Sequence, residues 1–267
     1  MINSLIFSLD RAQQLNLLLE SIDKNAKNTF NVNVLYKYSN DEFKKGYDIL
    51  INKFKKINWI KEQDFKPQVM NFLSEKHDLC CFFTDDDIIY NNVSEKDITQ
   101  VMENEDVFCF SLRLGKNISY CYTMNASNVL KPEKEEQNIV YWNWTKHYLD
   151  FGYPLSVDGH IFRTKDIKKM VRVVQATNPN TLEGNLQVFE YYPKELMAAY
   201  ETSKLVNSPN NIVNKTHPNR KGEKYMYSTK ELNEKFLNKE KIDIDALDLS
   251  EITGCHQELE LKFKKYK

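Results

Sequence analysis

Apolar positions in the first ninety residues switch repeatedly between two spacings. Residues 2–7 form a short apolar run of strand character, and Ala12, Leu15, Leu18, Leu19 and Ile22 then recur at helical spacing. Asp10, with Gln13 three residues on, stands where it can cap that helix. Val32, Val34, Tyr36 and Tyr38 alternate as in a strand with one polar face. After Asn40, the residues Phe43, Tyr47, Leu50, Ile51 and Phe54 draw a second helical stripe. A brief strand at 57–60 precedes a third helix, with Pro67 in its first turn and Val69, Phe72 and Leu73 on its face. Residues 79–83 are continuously apolar, as in a strand covered on both sides, and end abruptly in Thr84-Asp85-Asp86-Asp87.

The second half is less regular. Ser94 opens a short helix through Ile98, Val101 and Met102, and 107–112 reads as a strand. Residues 115–140 are polar and loop-rich, and Tyr141-Trp142-Asn143-Trp144 is an aromatic cluster. The span 155–162 reads as a strand interrupted by Asp158-Gly159-His160, after which Thr164 caps a helix carrying Ile167, Met170, Val171 and Val174. Asn178-Pro179-Asn180 predicts a turn, with a helix containing Glu183 opening at Thr181. A polar stretch at 207–222 carries His217, Ser228 with Glu231 forms a capping box, and 256–263 alternates like an edge strand. This order predicts an α/β fold over 1–200, Rossmann-like, with a mostly parallel central sheet flanked by helices. A small helical and loop-rich C-terminal extension over 201–267 packs on the same domain. Ligands of such sheets bind beyond the carboxyl ends of the strands, where Ser8-Leu9-Asp10-Arg11 and the Asp triplet both fall.

Composition narrows the function classes. In 267 residues, 37 Lys+Arg against 38 Asp+Glu give a net charge of -1, without the basic excess of a nucleic-acid-gripping protein, so no stable nucleic-acid binding is expected. No run approaches the ~20 apolar residues of a membrane span. The opening MINSLIFSLDRAQQ lacks a basic n-region and a cleavage site. Five Cys without a CxxC pair read as reduced, buried thiols, and the expected location is cytoplasmic. The Lys-rich end, 262–267, allows at most peripheral membrane contact.

Asp85-Asp86-Asp87 is the strongest chemical signal. Adjacent carboxylates repel unless a cation or hydrogen bonds offset the charge, and residues i and i+2 of a turn can converge on a hard ion such as Mn2+ or Mg2+ that is shared with a diphosphate. Trp142 and Trp144 share one face if their segment is extended, and offer either core packing or a platform for an acceptor sugar.

An apolar strand ending in a DxD-type cluster, after an N-terminal strand–SxDR–helix unit, resembles the nucleotide-sugar-dependent glycosyltransferases of the GT-A fold, most closely family 2. The segments carrying the likeness are Ile6-Phe7-Ser8-Leu9-Asp10-Arg11, Phe82-Phe83-Thr84-Asp85-Asp86-Asp87, and Asp158-Gly159-His160-Ile161-Phe162-Arg163 with Leu182-Glu183 beyond. The resemblance implies a nucleotide-binding half at 1–92 and an acceptor half at 93–200. It places Ser8, Asp10, Arg11, Lys66, Gln68 and Asp86 against a nucleotide-sugar donor, with UDP as the default nucleotide. Asp85 and Asp87 would hold Mn2+ or Mg2+, with His217 or His256 as a third ligand. Glu183 would be the general base toward a hydroxyl acceptor, a glycan or polysaccharide intermediate, with Asp158 as its substitute and His160 lining the acceptor pocket. Glu183 is followed by Gly184 where the family pattern has a second acid. Two other classes compete: a haloacid-dehalogenase-type phosphotransferase or phosphatase using Asp85 as nucleophile, and a non-catalytic nucleotide- or sugar-binding module.

Overall fold

The computed structural model describes residues 1–189, 191–211, 213, 220 and 222–266. Strand and helix alternate through the first half as β1 (Ile2–Leu9), α1 (Ala12–Asn25), β2 (Phe30–Lys37), α2 (Asp41–Lys53), β3 (Asn58–Lys61), α3 (Phe65–Phe72) and β4 (Leu79–Thr84). There follow β5 (Asp87–Ile89), α4 (Glu95–Met102), β6 (Val107–Ser111), β7 (Tyr120–Cys121), β8 (Ala126–Ser127), β9 (Lys134–Glu136) and β10 (Ile139–Asn143). The chain continues through β11 (His160–Arg163), α5 (Thr164–Val173), α6 (Pro179–Leu186), β12 (Leu196–Tyr200), β13 (Leu205–Asn207), α7 (Thr229–Leu237), β14 (Glu240–Ile242) and β15 (Phe263–Lys265).

Among the described residues, nine strands form one sheet in the order β3-β2-β1-β4-β11-β6-β12-β10-β9. The first four are parallel, β11 runs antiparallel between β4 and β6, and β12 is again parallel to β6. The sheet therefore continues without a break across position 92. Side chains of β1 and β4 go alternately to two layers. Ile6, Cys81 and Phe83 pack with α1, α2 and α4, while Phe7, Cys80 and Phe82 pack with α3 and α5. Both faces are covered, which is why the apolar run of β4 does not alternate. Among the described residues no helix is long and apolar enough to cross a membrane.

Several local expectations change. Asp10 does not cap α1: the N-cap is Arg11 without a side-chain cap bond, and Asp10 is left-handed at φ 56° with its carboxylate accepting from Ser39 N at 2.8 Å. The span 155–162 is strand only from His160, because Gly159 at φ 69° turns the chain just before it. Helix α6 opens at Pro179, with Asn178 and Thr181 forming a reciprocal capping box. The presumed edge strand at 256–263 shrinks to a single bridge from His256 to Asn207, with pairing resuming only at β15. Strands β12 and β13 lie in stretches that sequence pattern alone leaves unassigned. The C-terminal segment is built into the domain, since β13 pairs with β5, and α7 packs on α1 and α2.

Candidate active site

The carboxyl ends of β1 and β4 are neighbours because those strands pair in parallel, so the turns after Leu9 and Thr84 meet. Arg11 closes that junction. Its Nη1 donates to Asp85 Oδ1 at 3.0 Å and to Asp86 Oδ2 at 2.8 Å, and its Nε donates to Asn211 Oδ1 at 2.8 Å. Nη2 donates to the Asn211 carbonyl. Asp85 also accepts from Leu9 N at 3.2 Å. Burial pushes the Asp85 carboxyl up to about 6, against the opposing pull of Arg11. Asp87 is fully buried; its Oδ2 accepts from Thr84 N at 2.9 Å and its Oδ1 from Asn207 Nδ2 at 3.1 Å. Burial, reinforced by the charges of Asp158 and Asp86, holds the Asp87 carboxyl well above the ordinary range.

A second cluster adjoins the first. Asp158 Oδ1 accepts from Thr84 Oγ1 at 2.9 Å, while its Oδ2 lies 3.4 Å from Arg113 Nη1 and 3.4 Å from His256 Nε2. Burial alone would raise this carboxyl; His256, Arg113 and Thr84 together overcome that and bring it down to about 2. Glu183, on α6, accepts from Val157 N at 2.8 Å, Ser156 Oγ at 3.2 Å and Tyr153 Oη at 3.2 Å. Burial and the nearby Asp158 charge push the Glu183 carboxyl up. Asp158 is therefore the hinge of the arrangement: it is bonded to the end of β4, and its field reaches both Asp87 and Glu183.

Several other residues singled out from the sequence fall outside this constellation. Trp142 and Trp144 are core residues, their indole N–H groups donating to the Phe151 and Lys194 carbonyls, so neither offers a free face to a sugar. His160 is completely buried on β11, with Nδ1 on the Pro154 carbonyl at 2.9 Å, so it does not line an open acceptor pocket. Lys66 Nζ donates to the Arg172 carbonyl on α5, and Gln68 braces the β3–α3 loop through Gln63 N, Asp64 N and the Lys61 carbonyl. Ser8 does belong to it: its hydroxyl shares a 2.8 Å hydrogen bond with the buried Tyr47 hydroxyl and also bonds the Asp85 carboxylate. Its neighbour Asp10 holds the Ser39 amide. His256 faces Asp158, not the Asp triplet. His217 lies outside the described residues.

The donors at the turn do not fit a divalent cation as they stand. Asp85 and Asp86 are spent on one guanidinium, both oxygens of Asp87 are taken, and among the described residues no three His, Cys, Asp or Glu converge as a metal site. Nor is Asp85 a poised nucleophile, with Oδ1 on Arg11 and Oδ2 on Leu9 N.

Asn207, Asn211, Tyr47 and Arg113 escape sequence reasoning. Only for Arg113 was there a signal: it is one of five Arg among 37 Lys+Arg, and a guanidinium suits a buried fork of carboxylates better than an ammonium does.

No family model matches the chain. Over 192 residues it is 32% identical to the bifunctional glycosyltransferase pgtA of Dictyostelium discoideum, an alignment covering 64% of this chain and 25% of that protein. Among solved structures, S. aureus TarS 1-349 in complex with UDP superposes with a TM-score of 0.52 at 16% identity, covering 79% of this chain and 62% of that one. A longer structure of S. aureus TarS gives 0.50 at 16% identity, covering 79% and 37%. The fold is that of the GT-A-like glycosyltransferases. The GT-A-like chain spans about a quarter of the length of its curated relative.

Proposed function

We propose that this protein is a glycosyltransferase that moves a sugar from a nucleotide-sugar donor, a UDP-sugar by preference, to a hydroxyl of a glycan or polysaccharide intermediate. The observation that carries the reading is Asp158, which ties the strand-end turn of Asp85 and Asp86 to the base candidate Glu183 in one site. The likeness to a UDP-bound structure and to a glycosyltransferase in sequence supports the choice of donor class.

Arg11, Asp85 and Asp86 mark the donor side, at the carboxyl ends of β1 and β4 beyond which ligands of such sheets bind. Glu183 is the general base. Its raised affinity for a proton suits it to take one from an acceptor hydroxyl as the new bond forms, and three donors fix its orientation. Asp158, held near 2, is too weak a base for that step and acts on Glu183 and Asp87 through its charge.

The test is a thermal-shift titration with UDP, GDP, CDP and TDP, each in chelator and in Mn2+, followed by transfer assays with the UDP-sugars. A shift for one nucleotide, lost in Asp86→Asn, with turnover lost in Glu183→Gln, supports the reading through linkage of binding to stability. Binding without turnover by any donor would identify a non-catalytic module. No shift with any nucleotide would refute the donor site.

A further inference from the structure

We propose that the Arg11 guanidinium stands where a divalent cation would otherwise sit against Asp85 and Asp86, so that the protein takes up a nucleoside diphosphate without Mn2+ or Mg2+. The nucleoside diphosphate part rests on the function proposed above; the statement about the cation does not.

Two carboxylates brought together at the end of a buried strand need a positive charge between them. The chain supplies its own. Arg11 Nη1 reaches both carboxylates, within 3.0 Å and 2.8 Å, and the side chains of all three residues are almost wholly removed from solvent, at 8%, 4% and 11% exposure. The guanidinium is not a visitor from the surface. Asn211 grips its other edge, through its side-chain oxygen at 2.8 Å and its backbone carbonyl, and Gln14 Nε2 holds that same side-chain oxygen at 3.3 Å. A metal ion entering here would have to pull both carboxylates away and leave a guanidinium buried with its charge unmatched, which is strongly unfavourable.

Among the described residues, the ordinary sources of further metal ligands are committed elsewhere. Asp87 is fixed by Thr84 N and Asn207, and His256 is turned to Asp158. Of the five N–H groups on Arg11, four are spent on Asp85, Asp86 and Asn211. The guanidinium thereby offsets the carboxylate charge at the strand ends where a diphosphate would approach, the part a divalent cation would otherwise play.

Two measurements on the full chain test this. The first is a Mn2+ titration followed by electron paramagnetic resonance, with no nucleotide present. Wild type leaves the free Mn2+ signal unquenched, and Arg11→Ala, with Asp85 and Asp86 uncompensated, gains a Mn2+ site that Asp86→Asn then removes. The second is calorimetric titration with UDP. In wild type the affinity in EDTA and in Mn2+ agrees within about twofold, since uncoupled ligands do not alter each other's binding. In Arg11→Ala it falls by about tenfold or more in EDTA, because two uncompensated carboxylates then repel the diphosphate, and Mn2+ restores part of it. Uptake of Mn2+ by wild type that is abolished by Asp86→Asn, or UDP binding that needs Mn2+, overturns the proposal. If Arg11→Ala does not fold, the wild-type arms and Arg11→Lys decide, because Lys keeps the charge and still excludes Mn2+. Failure of UDP and the other nucleoside diphosphates to bind in either medium overturns the donor reading, while the Mn2+ arm still reads the cation claim.

Discussion

Lowering the pH from 7 to 5 should cost the folded protein about 2 kcal/mol through His160 alone. The imidazole is completely buried, donates through Nδ1 to the Pro154 carbonyl, and leaves Nε2 with no hydrogen-bond partner among the described residues. Burial first, and the Arg113 guanidinium second, hold its pKa down to about 3. An unfolded chain takes up the proton near 6.5, whereas the folded chain does not until about 3. Stability from this group is therefore complete above 6.5 and is lost as the pH falls toward 3. The slope is about 1.4 kcal/mol per pH unit, and 1.5 units separate 6.5 from 5. Asp85 works in the opposite direction over part of this range, since its carboxyl is raised to about 6 and its folded form takes up the proton first. Wild type must therefore be read against His160→Asn, which retains a donor for the Pro154 carbonyl but cannot titrate. Urea unfolding of both proteins at pH 7, 6 and 5 gives the comparison. The stability difference should move against wild type by about 2 kcal/mol between pH 7 and 5; a difference flat to within about 0.5 kcal/mol would refute a neutral, desolvated His160.

Three further outcomes follow from the same geometry. Glu183→Gln keeps oxygen and shape but loses the proposed base, so transfer should slow by about 10²–10⁴ while UDP affinity is unchanged; an equal loss in binding would remove Glu183 from the proposed chemistry. Trp142→Ala should destabilise by about 3–5 kcal/mol in chemical denaturation, because the indole is fully buried and bonded to Phe151. A change in acceptor KM with little loss of stability would return Trp142 to the role of a sugar platform. Gly159→Ala forces a side chain into φ 69° with its Cβ 2.9 Å from Leu205 Cδ1, so it should cost about 1–2 kcal/mol and lower turnover by shifting Asp158; full activity and unchanged stability would show that the turn tolerates a Cβ.

The sequence by itself determined the layering. Helical and strand spacings through residue 84 predicted β1 to β4 and α1 to α3 with little error, because each is set by local periodicity and by burial on both faces. It also marked the Asp triplet and Arg11, since a charge cluster directly after an apolar run falls at a strand end. What it did not contain was the pairing of distant groups. Only the parallel register of β1 with β4 makes Arg11 a partner of Asp85 and Asp86, and only the insertion of β11 beside β4 brings Asp158 to Thr84. Asn207 and Asn211 are unremarkable polar residues in a polar stretch; they become site residues because β13 pairs with β5. Trp142, Trp144 and His160 show the reverse. Aromatic and imidazole side chains serve a core as well as a binding face, and burial, which is a property of the whole fold, decides between the two.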